Sequence, residues 1–414
     1  MKNRFIYLLL VWFTFVACDK LSLDISAQEM SDSTGVDSTI IIDDNPAYSL
    51  FFSRDSLNAR GMAGFLDSFS VIDYEGFSPG ESFPTLNVFI GNSGMDESIK
   101  ALEAINGSGY VIQCDGHNLV VAGTAETWTA MALYEMEEYL FENGFAVRGD
   151  TLTIPSCFSI VKDYDDPQLI SRLIQKGLVF SLSPEFVLAC PGLGNCTIGQ
   201  GAVGDEAFFY VINKNGLDNQ SVIFRYEIES LKWKGMSGIF NAGHSNDMAY
   251  NGDKDIIVVA HGQSQGRVLT LVRASDLSVL SDVTIEVGAS SVSYNARKKQ
   301  YAFSQGGTTL HFTDDNFKLI RSFSRDQVSG YTVQGMGSDD SYIYFPMSGS
   351  RNNLIVVYDW DGNYVTKLEL PLSIESETLF YTAGEYYVNF NHSGSELYRI
   401  NPVLYYTYEK GLTD

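Results

Sequence analysis

The chain has 414 residues, of which 45% are hydrophobic and 13% aromatic, so it is long enough for two or three domains and can fill their cores. Its 51 acidic and 27 basic residues give a formal net charge of −24, which would repel the phosphate backbone of a nucleic acid. These numbers exclude an intrinsically disordered chain and a nucleic-acid-binding protein. The acidic residues are scattered rather than clustered, which indicates a role in solubility.

The first residues have the pattern of an export signal. Lys2 and Arg4 precede an almost wholly apolar stretch over 5–17, which is too short for a permanent transmembrane helix. Cys18 follows a Val-Ala pair, and this ending resembles the bacterial lipobox, in which the cysteine becomes the lipidated first residue of the mature protein. The resemblance implies a signal peptide over 1–17 and an exported lipoprotein of the cell envelope. Cys18 would anchor it to a membrane, with the outer membrane or cell surface as the expected location.

Residues 18–46 predict a flexible tether behind the lipidated cysteine. They are rich in Ser, Asp, Thr and Gln and have no sustained periodicity, apart from a short apolar run at 39–42. We expect the folded part of the protein to owe nothing to this tether.

Residues 47–146 predict a small α/β domain. The apolar spacing and turn residues predict the following elements: strands over 49–52 and 86–90, helices over 57–69 and 96–105, a hairpin over 109–122, and a helix capped by Thr124 and ended by Gly144. This order, with the hairpin and the helix after it, resembles the non-catalytic α/β domain that precedes the catalytic barrel in several glycoside hydrolases. The resemblance implies an association with carbohydrates and no catalytic residue.

Residues 147–196 predict a connector that also supplies one or two strands to the next domain. After Cys18, four cysteines remain, in an export context that permits disulfides. Cys190 and Cys196 enclose a loop short enough to be bridged, and the sequence leaves open whether they form a disulfide. No cysteine has zinc-site spacing.

Residues 197–408 contain five repeat units, each built from short strands and polar turns. The units start at Gln200, His244, Ser290, Gln334 and Glu377, which are separated by 44, 46, 44 and 43 residues. Four short strands at that period predict a β-propeller, with between five and seven blades.

Three of the unit starts carry related motifs. They are Thr-Ile-Gly-Gln-Gly at 197–201, His-Ser-Asn-Asp-Met-Ala-Tyr-Asn at 244–251 and Tyr-Thr-Val-Gln-Gly at 331–335. These motifs resemble those of extracellular propeller proteins of gut-type bacteria. That group has no established activity, so the resemblance supports the fold and implies nothing about a reaction.

Polar side chains at the unit starts are the candidate site. The innermost strand of each blade begins near one end of the central channel, so these residues should converge despite their separation in sequence. The set comprises Gln200, His244, Asn246, Asp247, Gln334 and Glu377. Amides, an imidazole and carboxylates suit the hydroxyls and amides of a sugar or peptide, which need both donors and acceptors. The alternative is that they hydrogen-bond loop backbone and tie adjacent blades together.

Two functions from different classes follow from this site. The first is a membrane-anchored binding or scaffold protein that recognises a glycan or cell-surface ligand at the propeller mouth and needs no cofactor. The second is a metal-dependent hydrolase in which Asn246, Asp247 and Glu377 hold Ca²⁺ and His244 is the general base. This oxygen-rich set resembles the metal site of lactone-hydrolysing propellers. Neither a Gly-x-Ser-x-Gly elbow nor a nucleotide-binding fingerprint is present, so we predict no catalytic residue for the first function.

Overall fold

The computed structural model describes residues 38–41, 47–53, 56–75, 85–262, 266–305 and 308–408. The predicted signal peptide, Cys18 and all of the predicted tether except 38–41 lie outside the described residues. Within the part that is described, no helix is both long and apolar enough to cross a bilayer.

The N-terminal region consists of strands interleaved with helices. In chain order they are β1 (Ser38–Ile41), β2 (Tyr48–Ser53), α1 (Leu57–Leu66), β3 (Val71–Tyr74), β4 (Leu86–Ile90), α2 (Asp96–Leu102), β5 (Ser108–Asp115), β6 (Asn118–Gly123), α3 (Glu126–Glu142), β7 (Thr151–Ile154), β8 (Cys157–Tyr164) and α4 (Leu169–Gln175). One sheet has the order β1-β2-β4-β6-β5-β8, and β3 pairs with β7 separately. The strands and helices predicted over 47–146 are therefore present, although β1 uses part of the predicted tether and β8 extends the sheet beyond residue 146.

Two predicted features of these elements have different outcomes. The apolar face of α3 is buried, with Trp128, Met131 and Met136 at most 3% exposed, as its spacing predicts. The cap predicted at Thr124 is wrong, because the Thr124 hydroxyl instead accepts the Gly109 N–H at 3.1 Å, next to the hairpin strand β5. The helix then begins after Ala125 without a side-chain cap.

The β-propeller occupies residues 181–403, whereas the sequence predicts it over 197–408. The strands are β9 (Ser181–Cys190), β10 (Cys196–Gly204), β11 (Phe208–Asn215), β12 (Gln220–Glu227), β13 (Trp233–Met236), β14 (Phe240–Asn241), β15 (Asp247–Asn251), β16 (Ile256–Ala260), β17 (Val268–Arg273), β18 (Val279–Thr284), β19 (Ser291–Asn295), β20 (Gln300–Gln305), β21 (Thr309–Asp314), β22 (Leu319–Ser324), β23 (Thr332–Val333), β24 (Gly337–Ser338), β25 (Tyr342–Ser348), β26 (Asn353–Asp359), β27 (Tyr364–Leu370), β28 (Glu375–Thr382), β29 (Glu385–Asn391) and β30 (Ser395–Val403). They pair into five antiparallel sheets, so the prediction of a propeller is confirmed and the number of blades is five.

The ring closes with a strand from upstream of the repeats. Blades 1 to 4 are built from β10–β14, β15–β18, β19–β22 and β23–β27, each contiguous in sequence. Blade 5 has β28, β29 and β30 from the last repeat, and its outermost strand is β9. β9 pairs antiparallel with β30 from Ser395↔Cys190 to Val403↔Ser181. Cys190 and Cys196, which separate β9 from β10, are both buried and are free thiols in the structure.

The chain returns to the N-terminal region after blade 5. Leu404 and Tyr406 belong to the buried cluster beneath the N-terminal sheet, and Tyr406 is 0% exposed. The Tyr406 backbone N–H donates to Asn58 Oδ1 at 2.8 Å, and its hydroxyl donates to Glu137 Oε2 at 2.7 Å. The C-terminal segment therefore fastens the propeller to α1 and α3.

Candidate functional site

The five unit starts meet at one end of the propeller channel. The innermost strands β10, β15, β19, β24 and β28 form a closed ring of neighbours and run in the same direction. We call the end of the channel where these strands begin the first mouth.

Glycines allow the innermost strands to approach closely at this end. A Cβ atom on Gly201 would lie 2.7 Å from the backbone nitrogen of Met248, and one on Gly335 would lie 2.2 Å from the Glu377 carbonyl oxygen. No side chain fits at these distances, which gives a physical reason for the repeated Gln-Gly pair in the unit-start motifs.

Asp247 is completely buried and links four blades. Its Oδ1 accepts the Met248 N–H at 2.9 Å and the Thr378 hydroxyl at 2.6 Å. Its Oδ2 accepts the Val292 N–H at 3.0 Å and the Met336 N–H at 2.9 Å. These donors come from blades 2, 5, 3 and 4. Burial raises the pKa of Asp247 to about 7, although the four hydrogen bonds oppose that rise.

Asn246 also joins blades. Its side-chain nitrogen donates to the carbonyl oxygens of Ser290 at 2.8 Å and of Gln334 at 2.6 Å, which belong to the next two unit starts. For Asn246 and Asp247, the geometry is that of the alternative in which unit starts tie adjacent blades together.

His244 is half-buried and contacts a lysine that sequence reasoning missed. Lys214 Nζ lies 2.7 Å from His244 Nδ1. Burial, together with the nearby Lys214 charge, lowers the pKa of His244 to about 4. His244 is therefore neutral at physiological pH. Lys214 lies in β11 in a polar run without periodicity, so no signal in the sequence could have assigned it to the mouth.

Glu377 is a buried carboxyl group without a hydrogen-bonding partner among the described residues. It is 2% exposed and lies at a β-bulge between Ser376 and Thr378. Burial raises its pKa well above the ordinary value, and the negative charges of Glu375 and Asp247 add to this rise. Its neighbour Glu375 accepts a hydrogen bond from Gln334 Nε2 at 2.6 Å.

Gln200 is also buried at a bulge of the innermost strand, in blade 1. Its Nε2 donates to the Gly199 carbonyl at 2.6 Å, whereas its Oε1 is buried and has no partner in the described part of the chain.

A cavity of about 560 Å³ opens at the first mouth, on the side of blades 3 and 4. Asn246, Ser290, Ser291 and residues 327–334 line it. Every lining side chain is uncharged, although the protein carries a net charge of −24. Hydroxyls and amides dominate the lining, and the Tyr331 ring adds an aromatic surface.

The structure thus separates the predicted site residues into two groups. Asn246 and Gln334 line the cavity, whereas Gln200, His244, Asp247 and Glu377 lie outside its lining. Sequence reasoning missed residues 327–333. The one available signal was Tyr331, which opens the Tyr-Thr-Val-Gln-Gly motif.

A larger groove of about 1160 Å³ lies away from the unit starts. It runs between α3, residues 177–181 and the C-terminal residues 403–407, and its lining includes Glu137, Glu138 and Arg148. It is a seam between the N-terminal region and the tail, and it contains none of the predicted site residues.

Comparisons with known proteins assign no family to this chain. No protein-family model and no curated protein matches its sequence. Among solved structures, glutaminyl cyclase from Myxococcus xanthus is similar over 54% of this chain and 97% of its own, with 14% identity and a TM-score of 0.41. A luciferin-regenerating enzyme is similar over 53% of this chain and 95% of its own, with 11% identity and a TM-score of 0.35. The β-propeller domain of Myceliophteria thermophila Cps50 (Swd1) is similar over 52% of this chain and 99% of its own, with 8% identity and a TM-score of 0.34. At these identities and TM-scores, nothing about a ligand or a reaction follows from the matches.

Proposed function

We propose that this protein is an exported binding or scaffold protein that recognises a glycan in the first-mouth cavity. The observation that carries the proposal is the uncharged, hydroxyl- and amide-rich lining with one aromatic ring. Sugar hydroxyls need donors and acceptors at short range, and the apolar face of a sugar ring packs on an aromatic side chain. The sequence of the N-terminal region resembles the non-catalytic α/β domain of several glycoside hydrolases, which agrees with a glycan ligand.

The proposed location is the cell envelope, with Cys18 as the lipid anchor. The motivation is the short apolar stretch that ends in Cys18. Cys18→Ser should move the protein from the membrane fraction to the soluble fraction, or leave it uncleaved. A variant that is processed and stays fully in the membrane fraction would contradict this anchor.

Binding can be tested with a panel of soluble oligosaccharides and cell-wall fragments and the chain from Asp19 onward. Tyr331→Ala is expected to weaken binding about tenfold, because packing on an aromatic ring contributes ~1 kcal/mol or more. Gln334→Ala is expected to weaken it about threefold to tenfold, since a hydrogen bond is worth ~0.5–1.5 kcal/mol. Isothermal titration calorimetry measures both effects.

Tyr364→Ala is the matched control, because Tyr364 is 57% exposed on the outer strand β27 of blade 4. It should bind like the wild type. If no oligosaccharide or cell-wall fragment binds to the wild-type protein, the proposed function is refuted.

The alternative is a metal-dependent hydrolase that uses Asn246, Asp247 and Glu377 as ligands and His244 as general base. Asp247 already accepts four hydrogen bonds, so its oxygens have no free lone pair to offer. The described residues also contain no cluster of three or more His, Cys, Asp or Glu placed to hold a metal. We therefore do not favour this function. If Ca²⁺ raised the melting temperature of the wild-type protein but not that of Glu377→Gln, the metal-dependent function would be supported instead.

A further inference from the structure

Arg325 is a buried cation whose side chain has no hydrogen-bonding partner among the described residues. It follows β22, where the chain crosses from blade 3 to blade 4, and is only 4% exposed. Its Nε, Nη1 and Nη2 atoms are all buried, and none has a hydrogen-bonding partner in the part of the chain that the structure describes. The guanidinium carbon lies 4.2 Å from the centre of the Phe345 ring, a cation–π contact.

A buried guanidinium group without hydrogen bonds is expected to destabilise the folded protein. A guanidinium carries five N–H donors, and a buried charge is normally paired and hydrogen-bonded. An apolar side chain of similar length would suit the cluster around Phe345 better. Residues that break such rules are expected at functional sites, where recognition rather than stability decides the side chain.

The position of Arg325 connects it to the first-mouth cavity. Val328, Tyr331 and Val333 line the cavity and also pack against the apolar cluster that contains Phe345. Arg325 is also only two residues before Gln327, where the lining segment 327–334 begins, and its guanidinium lies over the Phe345 ring of that same cluster. Because the guanidinium makes no hydrogen bond with the described residues, a change of rotamer that brings it into the cavity would break no hydrogen bond among them.

We propose that the ligand of the first-mouth cavity is an acidic sugar and that Arg325 turns into the cavity to pair with its carboxylate. This inference rests on the proposed function and adds the chemical class of the glycan. The uncharged lining would bind the hydroxyls, and the planar guanidinium would bind the carboxylate through two parallel hydrogen bonds. The net charge of −24 disfavours highly charged polyanions, so the ligand carries one or few acid groups.

The test compares oligosaccharides that end in glucuronic acid with counterparts that end in glucose, at about 150 mM salt to screen the overall negative charge. The wild-type protein is expected to prefer the acidic member of each pair by about tenfold or more. Arg325→Met should lose this preference, and Arg325→Lys should keep part of it because it retains the charge. Arg351→Met removes an exposed arginine and is expected to keep the full preference.

The two proposals fail in distinguishable ways. Binding of acidic and neutral members with equal affinity, or a preference that persists in Arg325→Met, would overturn the inference and leave the proposed function standing. Absence of binding by every member of both series and by every other oligosaccharide and cell-wall fragment of the panel would overturn both.

A second measurement separates recognition from a structural role. If Arg325 is held at a cost to stability, Arg325→Met should melt at a higher temperature than the wild-type protein without ligand, whereas Arg351→Met should not. A melting temperature for Arg325→Met below that of the wild-type protein would show that the guanidinium stabilises the fold, and the inference would be wrong.

Discussion

Asp247→Asn is expected to lower the free energy of unfolding by ~2–5 kcal/mol. An asparagine in the same place keeps one oxygen, but its NH₂ group would face two of the four donors that surround the Asp247 carboxyl group. Each buried donor left without an acceptor costs ~1–3 kcal/mol. Denaturant unfolding measures the loss. Asp361→Asn is the control, because the Asp361 side chain is 82% exposed and should change stability little.

The effect of Asp247 should also depend on pH. Burial raises its pKa from an ordinary value of 3.8 to about 7 in the folded state. Between these two values, the folded protein holds a proton that the unfolded chain has released, so stability falls as the pH rises. The contribution of Asp247 is fully present below about pH 4 and is lost as the pH rises through about 7. The stability difference between wild type and Asp247→Asn should therefore be larger at pH 5 than at pH 8. A difference that grows with pH would contradict this assignment.

Tyr406→Ala is expected to destabilise the protein by ~3–5 kcal/mol, the usual cost of removing a fully buried aromatic side chain. Tyr406 is 0% exposed, and its ring meets Tyr134 of α3 edge-on with centroids 4.9 Å apart. Hydrogen exchange should show the loss in α1 and α3, although these helices lie more than 250 residues away in sequence. Tyr405→Ala is the matched control, since the adjacent Tyr405 is 41% exposed. Equal effects of the two variants would show that the tail is not docked.

Alanine substitutions at two glycines of α1 also test the docking of the C-terminal tail, because they are expected to change stability in opposite directions. A Cβ on Gly61 would lie 2.2 Å from the Tyr406 carbonyl oxygen, whereas a Cβ on Gly64 would meet no atom within 4 Å. Alanine is favoured over glycine inside a helix, so Gly64→Ala should stabilise the protein by ~0.5–1 kcal/mol. Gly61→Ala should destabilise it by ~1–3 kcal/mol, because the tail must move away. Thermal unfolding of the pair measures the contrast, and stabilisation by both would rule out the close approach.

The architecture was predictable where it depends on short stretches of chain. Four of the five blades are contiguous units of about 45 residues with their own turns, so their period is visible in the sequence. Closure of the ring was not visible, because the outermost strand of blade 5 is β9, more than 200 residues before its partner β30. Nothing in the sequence of β9 specifies which sheet edge it joins.

The sequence predicted the location of the candidate site, but it predicted the roles of the site residues only in part. The convergence of the unit starts follows from the repeat itself, and Asn246 and Gln334 do line the first-mouth cavity. The role of Asp247 depends on backbone N–H groups of Val292 and Met336, which every residue other than proline possesses, so sequence carries no signal for them. Arg325 would be expected at the surface from its charge, and only the packing of blades 3 and 4 buries it.

The sequence by itself determined the repeat period, the strand and turn positions and the acidic charge, because each depends on residues close together in the chain. The repeated Gln-Gly pair, which places glycines at 201 and 335 of two unit starts, is also visible in the sequence alone. Tertiary structure alone decided the number of blades, the docking of Tyr406 into the N-terminal core and the shape of the cavity. It also decided which polar groups have hydrogen-bonding partners among the described residues, as Asp247 does, and which lack them there, as the Arg325 side chain does. The reason is physical: hydrogen bonding and desolvation depend on atoms brought together from distant parts of the chain, and the same side chain is stabilising or costly according to what it meets there.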